Sequence, residues 1–183
     1  MKLSLPLRLA VAAAISTATA FADVKLPAII SDHMVLEKSA KVPVWGKADP
    51  GEEVTVTLNG QSAKATADAA GKWTTTLDLK KSAPGPFEMS VEGKNKLAVA
   101  DVVVGEVWVA SGQSNMEWGV KNTLDSEKEI AGSANPLLRQ FLVKKNPTRE
   151  ALEDTEGTWV AASPETTGNF TAVGYFFAKK LQK

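Results

Sequence analysis

The sequence predicts a β-sandwich of jelly-roll-like character followed by the start of an α/β layered domain. Two observations carry that expectation. From Val24 to about Ala100 short apolar–polar alternations recur between Gly, Pro, Asn and Asp clusters, the signature of an all-β unit. After Gly105 the pattern changes to an apolar run, a helical segment, a second apolar run and an amphipathic C-terminal helix, which is strand–helix–strand–helix order.

Each element has its own warrant. A strand is expected over 42–45, ended by Gly46, with Asp49-Pro50-Gly51 as a turn. Residues 54–58 alternate with period two, and Asn59-Gly60 is a hairpin signal that leads to a return strand over 61–67. Asp68 to Gly71 turns the chain into a strand over 73–79, which Pro84-Gly85-Pro86 closes. Phe87, Met89 and Val91 alternate with Glu88, Ser90 and Glu92, and Gly93-Lys94-Asn95 leads into a strand over 97–104. The continuous apolar run 107–110 reads as a strand buried on both faces of a parallel sheet. A helix is expected around Glu127 to Ile130 and a strand over 137–143. Phe170, Val173, Phe177 and Leu181 recur at helical spacing, with Asn169 or Thr167 as the expected cap. The boundaries drawn are 1–22 for a leader, 23–103 for the β-sandwich and 104–183 for the first part of the α/β domain. A β-unit of about 75 residues is near the lower limit for a self-sufficient core, so packing against the segment that follows is expected.

Composition narrows the classes. Apolar residues make up 44% and charged residues 23% of the 183-residue chain, the balance of an ordinary globular protein. Lys plus Arg equals Asp plus Glu at 21 each, with no basic cluster, so no nucleic-acid partner is expected. Lys2 and Arg8, the small and apolar residues from Leu9 to Ala20, and Ala20-Phe21-Ala22 before Asp23 read as a cleavable export signal. That run is shorter than the roughly 20 residues of a spanning helix, so no membrane anchor is expected. There is no cysteine, hence no disulfide and no lipid-bearing cysteine after the leader. A periplasmic or secreted location follows as the expectation.

The stretch richest in chemistry is Gly112-Gln113-Ser114-Asn115-Met116, directly after the apolar run. A glycine permits a sharp turn, and a serine there can offer its oxygen and its backbone N–H to one carbonyl, which makes Ser114 a candidate nucleophile for acyl transfer. The other reading of a serine after a strand is a helix N-cap. The turn is not the nucleophile elbow of α/β-hydrolases, because Met116 stands where that pattern needs glycine. Gln113 and Asn115 flank the serine and can hold the turn or reach a substrate. Glu117 and Trp118 follow closely enough to line the mouth of a site. Of the five tryptophans, Trp45, Trp73, Trp108, Trp118 and Trp159, most are expected in the core, although exposed indoles would suit sugar rings. No Cys/His cluster, spaced carboxylate set or Gly-rich phosphate loop points to a metal or a nucleotide.

Residues 112–116 resemble the first block of SGNH-type esterases, and more closely the sialate O-acetylesterase family, in which Gly-Gln-Ser-Asn-Met carries the nucleophile. Ser31-Asp32-His33-Met34-Val35-Leu36, then Val42-Pro43-Val44-Trp45-Gly46 and Ala48-Asp49-Pro50-Gly51-Glu52, resemble the N-terminal β-domain of the same family. Phe170-Thr171-Ala172-Val173-Gly174-Tyr175-Phe176-Phe177 looks like the helix after the first esterase loop. The resemblance implies that the chain corresponds to the front portion of a longer enzyme. It implies removal of O-acetyl groups from sialic acid or a related sugar, with Ser114 as nucleophile and its N–H in the oxyanion site. It implies neither a metal nor an organic cofactor. The family's general base lies in a downstream Asp-x-x-His motif that does not occur by residue 183, so the missing C-terminal part of the esterase domain is an expected partner. The sole histidine, His33, sits in the β-domain block and is expected to hold a turn or an interdomain contact, not to serve as that base. Two alternatives stay open: an acetylesterase acting on xylan or another carbohydrate, and a non-catalytic carbohydrate-binding fragment.

Overall fold

The computed structural model describes residues 23–182, so the expected leader, 1–22, lies outside the described residues. Seven strands come first: β1 (Val35–Glu37), β2 (Val42–Lys47), β3 (Glu53–Leu58), β4 (Gln61–Thr66), β5 (Lys72–Leu77), β6 (Phe87–Glu92) and β7 (Lys96–Gly105). They form a five-stranded sheet in the order β1-β7-β6-β3-β4 and a separate β2-β5 pair. The architecture is β-rich, as the alternation predicted. At the β3–β4 hairpin Asn59 and Gly60 both adopt positive φ, 48° and 77°, the backbone that a two-residue turn with matching twist requires.

Alternation decides which side chains are covered. Val54, Val56 and Leu58 of β3, Met89 and Val91 of β6, Val42 and Val44 of β2, and Trp73 and Leu77 of β5 share one core with Val24, Met34 and Val102. Each such side chain, fully buried, contributes about 2 kcal/mol through the water it no longer meets. One pairing departs from the antiparallel expectation. β1 runs parallel to β7, with Val35 opposite Val103, because the chain from β1 to β7 passes through the other five strands before returning.

Strand β7 is interrupted at its middle. Phe87 pairs with Val102 and Met89 with Val99, so the register shifts and one extra residue is accommodated around Ala100 and Asp101. Asp101 adopts a φ of 55° there. Such a bulge re-aims a side chain, here that of Asp101, toward His33 and Arg139.

After β7 come α1 (Ser114–Glu117), α2 (Ser126–Ala131), β8 (Asn135–Phe141), β9 (Trp159–Ala162) and α3 (Ala172–Leu181). Val120, Leu138, Ala162, Phe170, Ala172 and Tyr175 form a second, smaller core. The Tyr175 hydroxyl donates to Glu129 at 2.7 Å, tying α3 to α2. Burial first, and the Glu129 carboxylate second, push that phenol above its ordinary pKa.

Four expectations for this segment are corrected. Residues 107–110 are not a strand; they are irregular and exposed, Trp108 by 59% and Val109 by 92%, and no described strand pairs with their backbone. The strand expected at 137–143 begins two residues earlier and pairs antiparallel with β9, not parallel. No helical crossover lies between β8 and β9, and a parallel pair needs one. On α3, Ala172 and Tyr175 are the buried residues, whereas Val173, Phe177 and Leu181 face outward. Its N-cap is Thr171, with no side-chain cap bond, because Thr167 and Asn169 are taken up in a preceding 3₁₀ turn. The tryptophans also differ from expectation: only Trp73 is fully buried.

Candidate active site

Ser114 is the first residue of α1, and Gln113, not Ser114, occupies the N-cap position. No side-chain cap bond forms, so the helix-cap reading finds no support in the geometry. Gly112, Gln113, Ser114 and Asn115 are all exposed, and among the described residues nothing hydrogen-bonds the Ser114 hydroxyl. The turn itself is closed by the Met116 N–H donating to the Gln113 carbonyl at 2.9 Å. At Gly112 a Cβ would lie 2.9 Å from Met116 Cγ, so the glycine lets the Met116 side chain fold back under the turn.

The chain beyond α1 is tied down firmly. The Trp118 indole N–H donates to the Asn122 carbonyl at 3.1 Å, holding its half-exposed ring against a 3₁₀ turn. Ala172 N–H donates to the Trp118 carbonyl at 2.8 Å, and Val120 N–H to the Phe170 carbonyl at 3.0 Å. The stretch before α3 and the stretch after α1 thus bridge each other through Gly119 and Thr171. Glu117 reaches outward to Lys145 at 2.6 Å. Trp108, upstream of the serine, meets Phe177 of α3 edge-on, with ring centroids 5.1 Å apart. A free hydroxyl on a short turn, braced on both sides against α3, is the arrangement a positioned nucleophile needs. A serine hydroxyl also requires a neighbouring base to become nucleophilic.

His33 does not supply one in this structure. Its Nδ1 lies 2.7 Å from Asp101 Oδ2, and no hydrogen bond joins it to Ser114. It holds a turn and a contact between the β-sheet region and β8, the kind of role expected of it, in a junction whose partners the sequence did not name. Arg139 of β8, its side chain only 2% exposed, donates to the carbonyl of His33 at 2.8 Å, to the carbonyl of Asp101, and to Asp101 Oδ1 at 2.9 Å. His33 and Asp101 both hold positive φ, 67° and 55°. Burial alone would raise the Asp101 carboxyl, but hydrogen bonds from His33 and Arg139 and their charges hold it below the usual carboxylate range. The junction joins the β-sheet region to β8. A charged residue after the apolar pair Leu137-Leu138 was the one signal in the sequence, and it named no partner. Among the described residues no group of three or more His, Cys, Asp or Glu side chains converges as metal ligands would.

No family model matches the chain. The sialate O-acetylesterase of Mus musculus is 35% identical over 153 residues, which are 76% of this chain and 28% of that protein. The sialate O-acetylesterase of Homo sapiens is 34% identical over 163 residues, 80% of this chain and 30% of that protein. Among solved structures, a carbohydrate acetylesterase from Xanthomonas citri superimposes with a TM-score of 0.84 at 40% identity, covering 87% of this chain and 37% of that one. The chain therefore spans less than a third of the length of the curated relatives it matches.

Proposed function

The chain belongs to the sialate O-acetylesterase family, and from that premise we propose that it takes part in removing O-acetyl groups from sialic acid or a related sugar, with Ser114 as nucleophile. The observation that carries the assignment is the exposed, unengaged hydroxyl at the braced turn 112–116, in a chain whose relatives bear esterase names. Ser114 Oγ attacks the acetyl carbonyl and gives its proton to a base. The oxyanion is stabilised by backbone N–H groups that include that of Ser114. The alcohol leaves, and water releases acetate from the acyl-serine. Gly112, Gln113 and Asn115 shape the turn and the approach to it.

The general base comes from outside these 183 residues. Residues 23–103 act as a β-sandwich domain, and residues 104–183 as the first part of an SGNH-type α/β esterase domain. The superposition on the Xanthomonas citri acetylesterase supports that division, because its 87% coverage is more than the β1–β7 segment could supply. The exposed apolar side chains of Val107, Trp108 and Val109 are of the kind a further layer of such a domain covers. A second substrate reading, another acetylated carbohydrate such as xylan, is favoured by the broader name of that structural neighbour. Export to the periplasm or outside the cell is supported by the charge, apolar core and Ala-x-Ala order of residues 1–22.

The test is acetate release from an aryl acetate by the purified chain, alone and mixed with the remaining part of a family esterase domain. Activity is expected only in the mixture and is expected to vanish with Ser114→Ala. Turnover by the chain alone that disappears with His33→Ala would overturn the placement of the base. Turnover that survives Ser114→Ala would overturn the nucleophile.

A further inference from the structure

We propose that the cleft between the loop before β1 and strand β9 is a binding subsite for a neutral pyranose unit of a glycan. The choice of ligand class rests on the carbohydrate reading above; the site itself involves no residue of 112–118. The cleft has a volume of about 440 Å³. Leu97, Val99 and Trp159 supply its apolar lining, and Asp32, His33 and Thr158 its polar groups.

Three features make it a built site. Trp159 is pinned: its indole N–H donates to the Ile29 carbonyl at 2.8 Å, so the ring cannot swing away. His33 is held at three points, by its N–H to the Ala100 carbonyl at 3.0 Å, by its carbonyl to Arg139, and by Nδ1 to Asp101. Its remaining polar atom, Nε2, is left for a ligand, on a side chain 55% exposed. Asp32 accepts the Ala100 N–H on one oxygen at 2.8 Å and keeps the second. The left-handed backbone of His33 and Asp101 costs energy that the Arg139 junction offsets, and such outliers gather at ligand clamps.

A pyranose presents an apolar C–H face for an indole and hydroxyls around its edge for an imidazole nitrogen and a carboxylate oxygen. Charge selects among sugars. Asp32 lines the cleft and no lysine or arginine does, so an anionic sugar meets a like charge there.

The chain contains a single histidine, so one set of imidazole NMR signals reports on the site directly. The probes are methyl β-D-galactopyranoside and, as the anionic counterpart, N-acetylneuraminic acid. Neither carries an acetyl ester, so the outcome is independent of esterase activity. The neutral glycoside is expected to shift the His33 ring signals and one indole N–H signal saturably, with a millimolar Kd. His33→Asn keeps a residue type that tolerates left-handed φ, and Trp159→Phe keeps an aromatic ring against Phe141. Each is expected to raise Kd by about tenfold, the scale of one stacking or polar contact. No shift at tens-of-millimolar glycoside, in a protein with a native spectrum, overturns the site. Unchanged Kd in both variants overturns it too, and a response to N-acetylneuraminic acid that matches or exceeds the neutral one overturns the assignment of ligand charge.

Discussion

At the scale of single residues, Arg139 carries more of the structure than its position in a short strand implies. It is buried and donates to three carbonyls, those of Pro136, His33 and Asp101, and to the Asp101 carboxylate, so removing its guanidinium takes a donor from each of them. Arg139→Met is expected to cost about 2–3 kcal/mol, toward the low end for a broken buried pair because Asp101 keeps some contact with water. Urea unfolding at neutral pH measures it. The pH dependence has a definite sign. The folded-state pKa of Asp101 is lowered, so its contribution is complete above the ordinary carboxylate value near about 4 and is lost as pH falls through the lower folded value. The acid limb of the stability curve should therefore flatten in Arg139→Met, and an unaltered limb would mean that the junction is not what Asp101 senses. The turn that carries Ser114 was legible in the sequence, because a glycine follows an apolar run there. Arg139 was not, because three of its four acceptors are main-chain oxygens, which leave no trace in side-chain identity.

Elements divide along the same line. Strands β3, β5 and β6 were legible because half-burial writes period two directly into the residues, and β3 places Val54, Val56 and Leu58 inward as the alternation required. The run 107–110 misled for a physical reason: apolar content reports what a segment could bury, not what is beside it. Its backbone finds no described strand, and its side chains stay in water. The outward face of α3 has the same character, with Val173, Phe177 and Leu181 uncovered while Tyr175 turns inward to reach Glu129. An exposed run of β-branched and aromatic residues is a template for association between copies. Val109→Lys is expected to lower self-association seen by light scattering at high concentration. It should leave stability within about 0.5 kcal/mol, since Val109 is almost wholly exposed. A rise in association would contradict that account.

Across the whole molecule, two cores are coupled by a small number of polar contacts. Besides Arg139, the loop between β8 and β9 returns to the first sheets: Glu153 pairs with Lys47 at 3.0 Å and with Lys72, and Asp154 accepts the Ala28 N–H at 3.1 Å. The two lysines hold the exposed Glu153 carboxyl down to about 2, a contact that salt will screen. The end of the long strand at Gly105 was legible in the sequence, while these couplings were not, since they link residues far apart in the chain. The segment before Asp23 makes a separate prediction at this scale. Expressed in an exporting host, the recovered protein should have the intact mass of a chain beginning at Asp23, and a mass retaining residues 1–22 would remove the basis for an extracellular address.

The bulge in β7 has a consequence for which sequences can share this fold. Leu97 and Val99 turn inward before it, and Val102 and Val104 after it, so the inward positions change from odd to even numbers within one strand. Loss of one residue at Ala100 or Asp101 would restore an unbroken alternation with Val102 and Val104 still inward, but it would remove the bulge that holds Asp101 in its left-handed turn against His33 and Arg139. Single-residue deletions should accordingly be absent from this point in functional relatives, even though Asp101 itself is partly exposed. A substitution there costs one contact of the junction, whereas a deletion costs the turn on which the whole junction is built.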